Sequence, residues 1–162
     1  MPGTSAPRNT YSPPPPDVPY EMSDFGSVCR GGGYVGVAAY PGPVPRYVYA
    51  AGGLPMPGEW ATETVHLVQL VACSEQSEGK PVRTCPYSGD GGTPVTRTVV
   101  EGITTVTLRA ARTGNVVATV QLVGADADQC PALLYNQGKD HTVATEVTEE
   151  QVRKALARYV TG

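Results

Sequence analysis

The chain has 162 residues, with 12 Lys and Arg against 15 Asp and Glu for a net charge of −3. That length holds one domain and little more. The acidic balance lacks the clustered basic face of a nucleic-acid binder, and no run reaches the roughly 18 apolar residues that span a bilayer.

Residues 1–27 read as a disordered, proline-rich stalk or linker, because Pro13–Pro16 favours a solvated polyproline II spacer over a docking motif. The chain opens Met1-Pro-Gly-Thr-Ser-Ala-Pro-Arg8 without an apolar leader, so an exported protein would have had its signal sequence or anchor removed. The folded domain is expected to cover 28–162. Gly31–Gly33 matches neither the P-loop nor the dinucleotide-binding spacing and reads as loop punctuation. Tyr34–Ala39 and Arg46–Ala50 are short strand candidates separated by Pro41, Pro43 and Pro45. A loop then leads to Glu59-Trp60, where the lone tryptophan reads as a core or rim anchor ahead of a stacking platform.

Thr64–Cys73 is apolar on both faces, which predicts a central strand. The polar stretch Ser74–Lys80 reads as a turn into a second short strand, Val82–Tyr87. Val95–Ala110 is a long Val/Thr-rich strand in which Gly102 marks a bulge or bend, switching the inward face so that Thr104, Val106, Leu108 and Ala110 share one side. Arg112–Asn115 is a turn and Val116–Val123 the returning strand of a hairpin. The one clear helix signal is C-terminal. Thr148 and Gln151 form a capping box, Val147 and Val152 a hydrophobic staple, and Val152, Ala155, Leu156, Tyr159 and Val160 an apolar stripe.

Four cysteines and two histidines invite a zinc reading, but the cysteines stand 44, 12 and 45 residues apart and no close ligand pair exists. Disulfides are the stronger reading, and they place the protein outside the reducing cytosol. Of three connectivities, Cys73–Cys85 is the local hairpin solution, leaving Cys29–Cys130 to tie the domain entrance to the segment before the helix. In the chain-entropy model the long loop contributes about 4–5 kcal/mol and the short one about 3. No Gly-x-Ser-x-Gly elbow is present. Asp126 and Asp128 fail the calcium-loop alternation because Cys130 takes the next place; His66, expected in mid-strand, reads as structural, and His141 falls in a polar loop.

Cys29, Ala38–Gly42, Leu54-Pro55, Glu59-Trp60, Val68–Cys73, Thr84–Tyr87, Val106–Gly114 with Val116–Ala118, Cys130-Pro131 and the Val152–Val160 segment together resemble a family of extracytoplasmic bacterial domains with no known activity. The resemblance runs from about 29 to 160 and implies a secreted or tethered β-rich domain with paired cysteines. Arg outnumbers Lys 9 to 3, and Ile and Phe occur once each, at Ile103 and Phe25, which reads as the codon usage of a high-GC bacterium.

The expected fold is therefore mainly β (α+β): an antiparallel, sandwich-like β domain with one C-terminal α-helix. The expected function is a non-catalytic extracytoplasmic binding or interaction module of a high-GC bacterium, secreted or membrane-tethered, whose partner is an unknown protein or envelope component, without cofactor, metal or nucleic acid and touching a membrane only through a missing anchor. Trp60, Tyr87, Tyr40, Tyr47 and Tyr49 are its candidate binding aromatics. Two other readings stay open: a structural envelope or assembly protein, and a small enzyme using His66 or a free cysteine.

Overall fold

A computed structural model of the protein describes residues 13–14, 16–88, 90–130 and 142–162. It builds one sheet in the order β1 (Tyr47–Ala51), β2 (Val68–Ser88), β3 (Pro94–Ala110) and β4 (Val116–Val123), with β5 (Thr142–Ala144) also against β3. The helix α1 (Glu149–Val160) follows. The domain is mainly β with one C-terminal helix, as expected. His141 and residues 1–12 lie outside the described residues.

The sheet is mixed. β1 runs parallel to β2, β2–β3 and β3–β4 are antiparallel, and β5 is parallel to β3. Because β2 occupies one edge of β3 throughout, β4 (opposite Ile103–Arg109) and β5 (opposite Thr98–Val100) share the other edge end to end. Among the described residues there is no second sheet, so the sandwich expectation is corrected: each face is covered by helical structure instead.

On one face α1 lays Val152, Leu156 and Val160 against Val48, Leu70, Ala72, Val106 and Leu108, with Leu54 and Trp60 completing the cluster. The helix starts as its sequence dictates. Gln151 N donates to Thr148 Oγ1 at 3.2 Å and Thr148 N donates back to Gln151 Oε1 at 3.0 Å. Burial of its apolar stripe then supplies the packing that holds so short a helix.

On the other face a nine-residue 3-10 helix, Met22–Arg30, packs fully buried Phe25 and Val28 with Tyr34 and Val37 onto Val68, Val71 and Ala111. Phe25 meets Tyr34 edge-on at 5.6 Å. Asp24 Oδ2 accepts from the backbone N–H of Tyr20 and Glu21, and Gly36 N donates to Asp17 O at 2.8 Å. Among the described residues, the segment from Asp17 to Arg30 thus packs onto this face, within and just beyond the stretch read as a stalk. The apolar residues of this short helix are too few to stand out as a periodic pattern, and only the sheet face opposite makes them a core. Tyr34–Ala39 is also corrected, from strand to turns that cap this layer.

The largest correction concerns the cysteines. Ser74–Lys80 is not a turn; β2 passes straight through it. The reversal lies at Gly91 and Gly92, with φ of 71° and 80°, whereas Gly79 is not among the positive-φ glycines. Cys73 and Cys85 thus sit 12 residues apart on one strand, roughly 35–40 Å at the usual rise. They are far beyond the separation a disulfide bridges. The bonds are instead Cys29–Cys73, with Cα atoms 5.6 Å apart, and Cys85–Cys130, at 5.7 Å. The first ties the 3-10 helix to β2. The second ties the far half of the β2–β3 hairpin to the segment after β4. Both close loops of similar length, so neither is the weaker local staple expected from the hairpin reading.

Near Gly102 the buried face of β3 does switch, since adjacent Val99 and Val100 are both buried and the even-numbered residues are buried thereafter. The register irregularities lie on the partner strand, between Glu78 and Arg83. What Gly102 provides is space, because a Cβ there would come within 2.0 Å of Thr145 O. The absent side chain lets the chain entering α1 lie against β3, where Gly102 N donates to Thr145 Oγ1 at 3.0 Å.

Two outcomes follow. Gly102→Ala is expected to lower stability by about 1–3 kcal/mol in urea unfolding, through overpacking against an immovable carbonyl. Non-reducing peptide mapping is expected to recover Cys29–Cys73 and Cys85–Cys130 peptides, and a Cys73–Cys85 peptide would refute the single long strand.

Candidate functional site

A buried amide sets the geometry of one concave site. Gln69 of β2 is 3% exposed; its Oε1 accepts from Gly42 N at 3.1 Å and its Nε2 donates to Pro43 O at 3.0 Å. These two bonds fix the Tyr40–Arg46 loop over the end of the sheet. Gly42 is required there, since a Cβ would meet Ala39 O at 2.5 Å and Gln69 Oε1 at 3.0 Å. Arg46 then bridges outward, with Nε donating to Gly42 O at 2.9 Å and Nη1 to Tyr159 O at 3.1 Å. Its guanidinium lies 5.5 Å from the centre of the Tyr40 ring.

The loop, the Glu59-Trp60 turn and the last turns of α1 enclose a groove of about 630 Å³. Val44, Pro45, Trp60, Ala157 and Val160 give it an apolar lining, with Val44 59% exposed at the rim. The polar groups around it are already engaged. Arg153 pairs with Glu59 and with Glu149 (Nη2 to Oε1, 3.0 Å), and its guanidinium lies 5.9 Å from the Trp60 ring centre. Thr161 Oγ1 donates to Ala157 O at 2.9 Å. Such a lining favours an apolar guest held by shape, because Glu59 and Arg153 pair with each other and Arg46 already donates to two backbone carbonyls.

Glu59 responds to this setting. The hydrogen bond from Arg153, then its own backbone N–H, holds its carboxyl below the usual carboxylate value despite some opposing desolvation. A carboxylate lowered in this way contributes above its ordinary pKa, and the contribution disappears as pH falls through the lowered folded value. The rim pair is thus fully formed at neutral pH.

The five candidate aromatics do not form one surface. Trp60, 3% exposed, is a core anchor whose edge reaches the groove, and Tyr40 packs beneath Arg46 on the same side. Tyr49 is on the opposite face of the sheet, 5.8 Å from Phe25. Tyr47 is half-buried at the start of β1, and Tyr87 half-buried at the far end of β2. Sequence reasoning missed Val44, Pro45, Arg46, Arg153, Ala157 and Val160. The Trp60–Arg153 pairing spans 93 positions and had no local signal, although Val44 among three prolines marked an apolar residue in an exposed loop.

His66 is not in a strand. It is exposed in the short 3-10 turn Val65–Leu67 and does not line the groove. No described cysteine is free, so none supplies the thiol that the small-enzyme alternative named. Among the described residues no group of three or more His, Cys, Asp and Glu is placed to hold a metal ion. No helix among them is long and apolar enough to cross a membrane. Comparison of the chain with protein-family models, with curated proteins and with solved structures gives no match.

Replacing Arg153 by Gln is expected to return the Glu59 titration toward the ordinary carboxylate range. Side-chain carbonyl NMR across the acidic range reads this directly, and an unmoved midpoint would show that the pair is not what lowers it.

Proposed function

We propose that this protein is a non-catalytic, extracytoplasmic interaction module of a bacterial envelope, secreted or tethered, whose groove takes an apolar or aromatic side chain of a protein partner. The observation that carries this reading is the groove itself: an apolar concavity with an exposed valine at its lip and its rim charges already engaged. A hydrolytic or transfer site would need a nucleophile beside an oriented base, and the groove lining includes neither a serine, a cysteine nor a histidine. Two disulfides are typical of proteins outside the reducing cytosol, which supports the compartment. The sequence resemblance to extracytoplasmic domains points the same way. The groove is also large enough to matter, since pockets that bury a guest range over roughly 300–1,000 Å³.

The test places a photo-cross-linking residue at position 44 and, as a control, at exposed position 116 in the source cells. A discrete adduct from 44 alone, lost when Ala157→Arg fills the groove, is the expected outcome. Equal labelling at both positions would overturn the reading. An adduct of twice the chain's own mass would replace it with self-assembly. In the same cells, maleimide labelling before reduction should find no free thiol; four labelled thiols would refute the extracytoplasmic location.

A further inference from the structure

A second cavity, of about 390 Å³, opens on the other side of the sheet and has the opposite character. It lies beside the Cys29–Cys73 bond, between the end of the 3-10 helix, the Ala51-Gly52 turn after β1, and β2 and β3; its polar walls are Arg30, Ser74, Glu75, Thr107 and Arg109. Two arginines stand there against one glutamate. In a chain of net charge −3 this is a local inversion of sign.

Neither arginine is neutralised by a carboxylate among the described residues, where Arg30 and Arg109 form no ion pair. Arg109 is half-buried on β3, opposite fully buried Val71. Nη1 donates to Gly114 O at 2.8 Å, while Nε is sealed from solvent without an acceptor. A guanidinium carries five donors, and a partly desolvated one with so few acceptors is an incomplete arrangement. Its counterpart across the sheet differs in this respect, since Arg153 is held by two carboxylates. The neighbouring hydroxyls differ too: Ser74 Oγ donates to Ala51 O at 3.1 Å, whereas the Thr107 side chain has no hydrogen-bonding partner among the described residues.

We propose that this cavity binds a small carboxylate anion, whose oxygens take the outward donors of Arg109 and Arg30, with Thr107 available as a further donor. A planar carboxylate matches the donor fork of a guanidinium, and the volume suits a small metabolite rather than a single water molecule. Glu75, exposed in the same lining, opposes an anion and so limits how tightly one is held. This site is independent of the apolar groove and does not rest on it.

The experiment titrates isotope-labelled full chain with succinate, with inorganic phosphate and with sodium chloride at matched ionic strength, following backbone amides by NMR. Saturable shifts with succinate, centred on Gly26, Gly52, Ser74 and Thr107 and absent with chloride, are expected. Arg30→Gln, at an exposed position, should weaken binding about fivefold, and Glu75→Gln should tighten it about two- to threefold, the usual effect of one solvated charge. Arg109→Gln should abolish binding. Because that variant loses a structural bond to Gly114, the opposed changes at positions 30 and 75 decide the matter if it does not fold. Shifts equal in chloride, no saturation, or no effect of either exposed variant would overturn the site. Saturation by phosphate alone would overturn the carboxylate assignment.

Discussion

Five consecutive residues of β2, Val68–Ala72, are shut off from water on both faces of the sheet, and the rest of the fold is arranged to keep them so. Val68, Leu70, Val71 and Ala72 are each 0% exposed. A strand in that position must be flanked on both edges and roofed on both sides. β1 and β3 supply the edges, while α1 and the Met22–Arg30 helix supply the roofs. The polar exception among the five, Gln69, cannot be buried unless its amide is satisfied. The Gly42 and Pro43 backbone does that, so burying one glutamine also places one wall of the groove. The site is in this sense a by-product of a solvation requirement in the core.

Much of this was legible where the signal is local. The capping box at Thr148 and Gln151, the inward set Thr104, Val106, Leu108 and Ala110, and the β3–β4 hairpin each depend on residues close in sequence, and each is found. The failures come where the deciding contact is distant. Ser74–Lys80 has the composition of a turn, yet pairing with β3 supplies the hydrogen bonds that keep it extended. The cysteine pairing inherited that error, because which cysteines meet is decided by where the strand ends. The Met22–Arg30 helix was hidden for a related reason: its two deeply buried residues, Phe25 and Val28, become a core only against a sheet face that lies some forty residues further on.

The candidate site was less legible than the fold. Trp60 was found, as an anchor, but the groove is made by three segments that meet only in the folded chain: the Tyr40–Arg46 loop, the Glu59-Trp60 turn and the end of α1. Aromatic residues drew attention because they are conspicuous in a sequence. Arginines matter as much here and are not conspicuous, since only the structure distinguishes Arg153, engaged by two carboxylates, from Arg109, engaged by none among the described residues.

The unequal lengths of the strands have one further effect. β1 stops opposite Cys73, so the outer edge of β2 from Ser74 to Ser88 runs on without a strand partner among the described residues. A bare edge of that length is an invitation to polymerise through backbone hydrogen bonds. This one carries Lys80 and Arg83, a proline at 81 that has no N–H to offer, and a register broken twice between Glu78 and Arg83. The sequence features that made the stretch look like a turn are the ones that disfavour docking of a further strand on an extended edge, so one composition serves two opposite local readings.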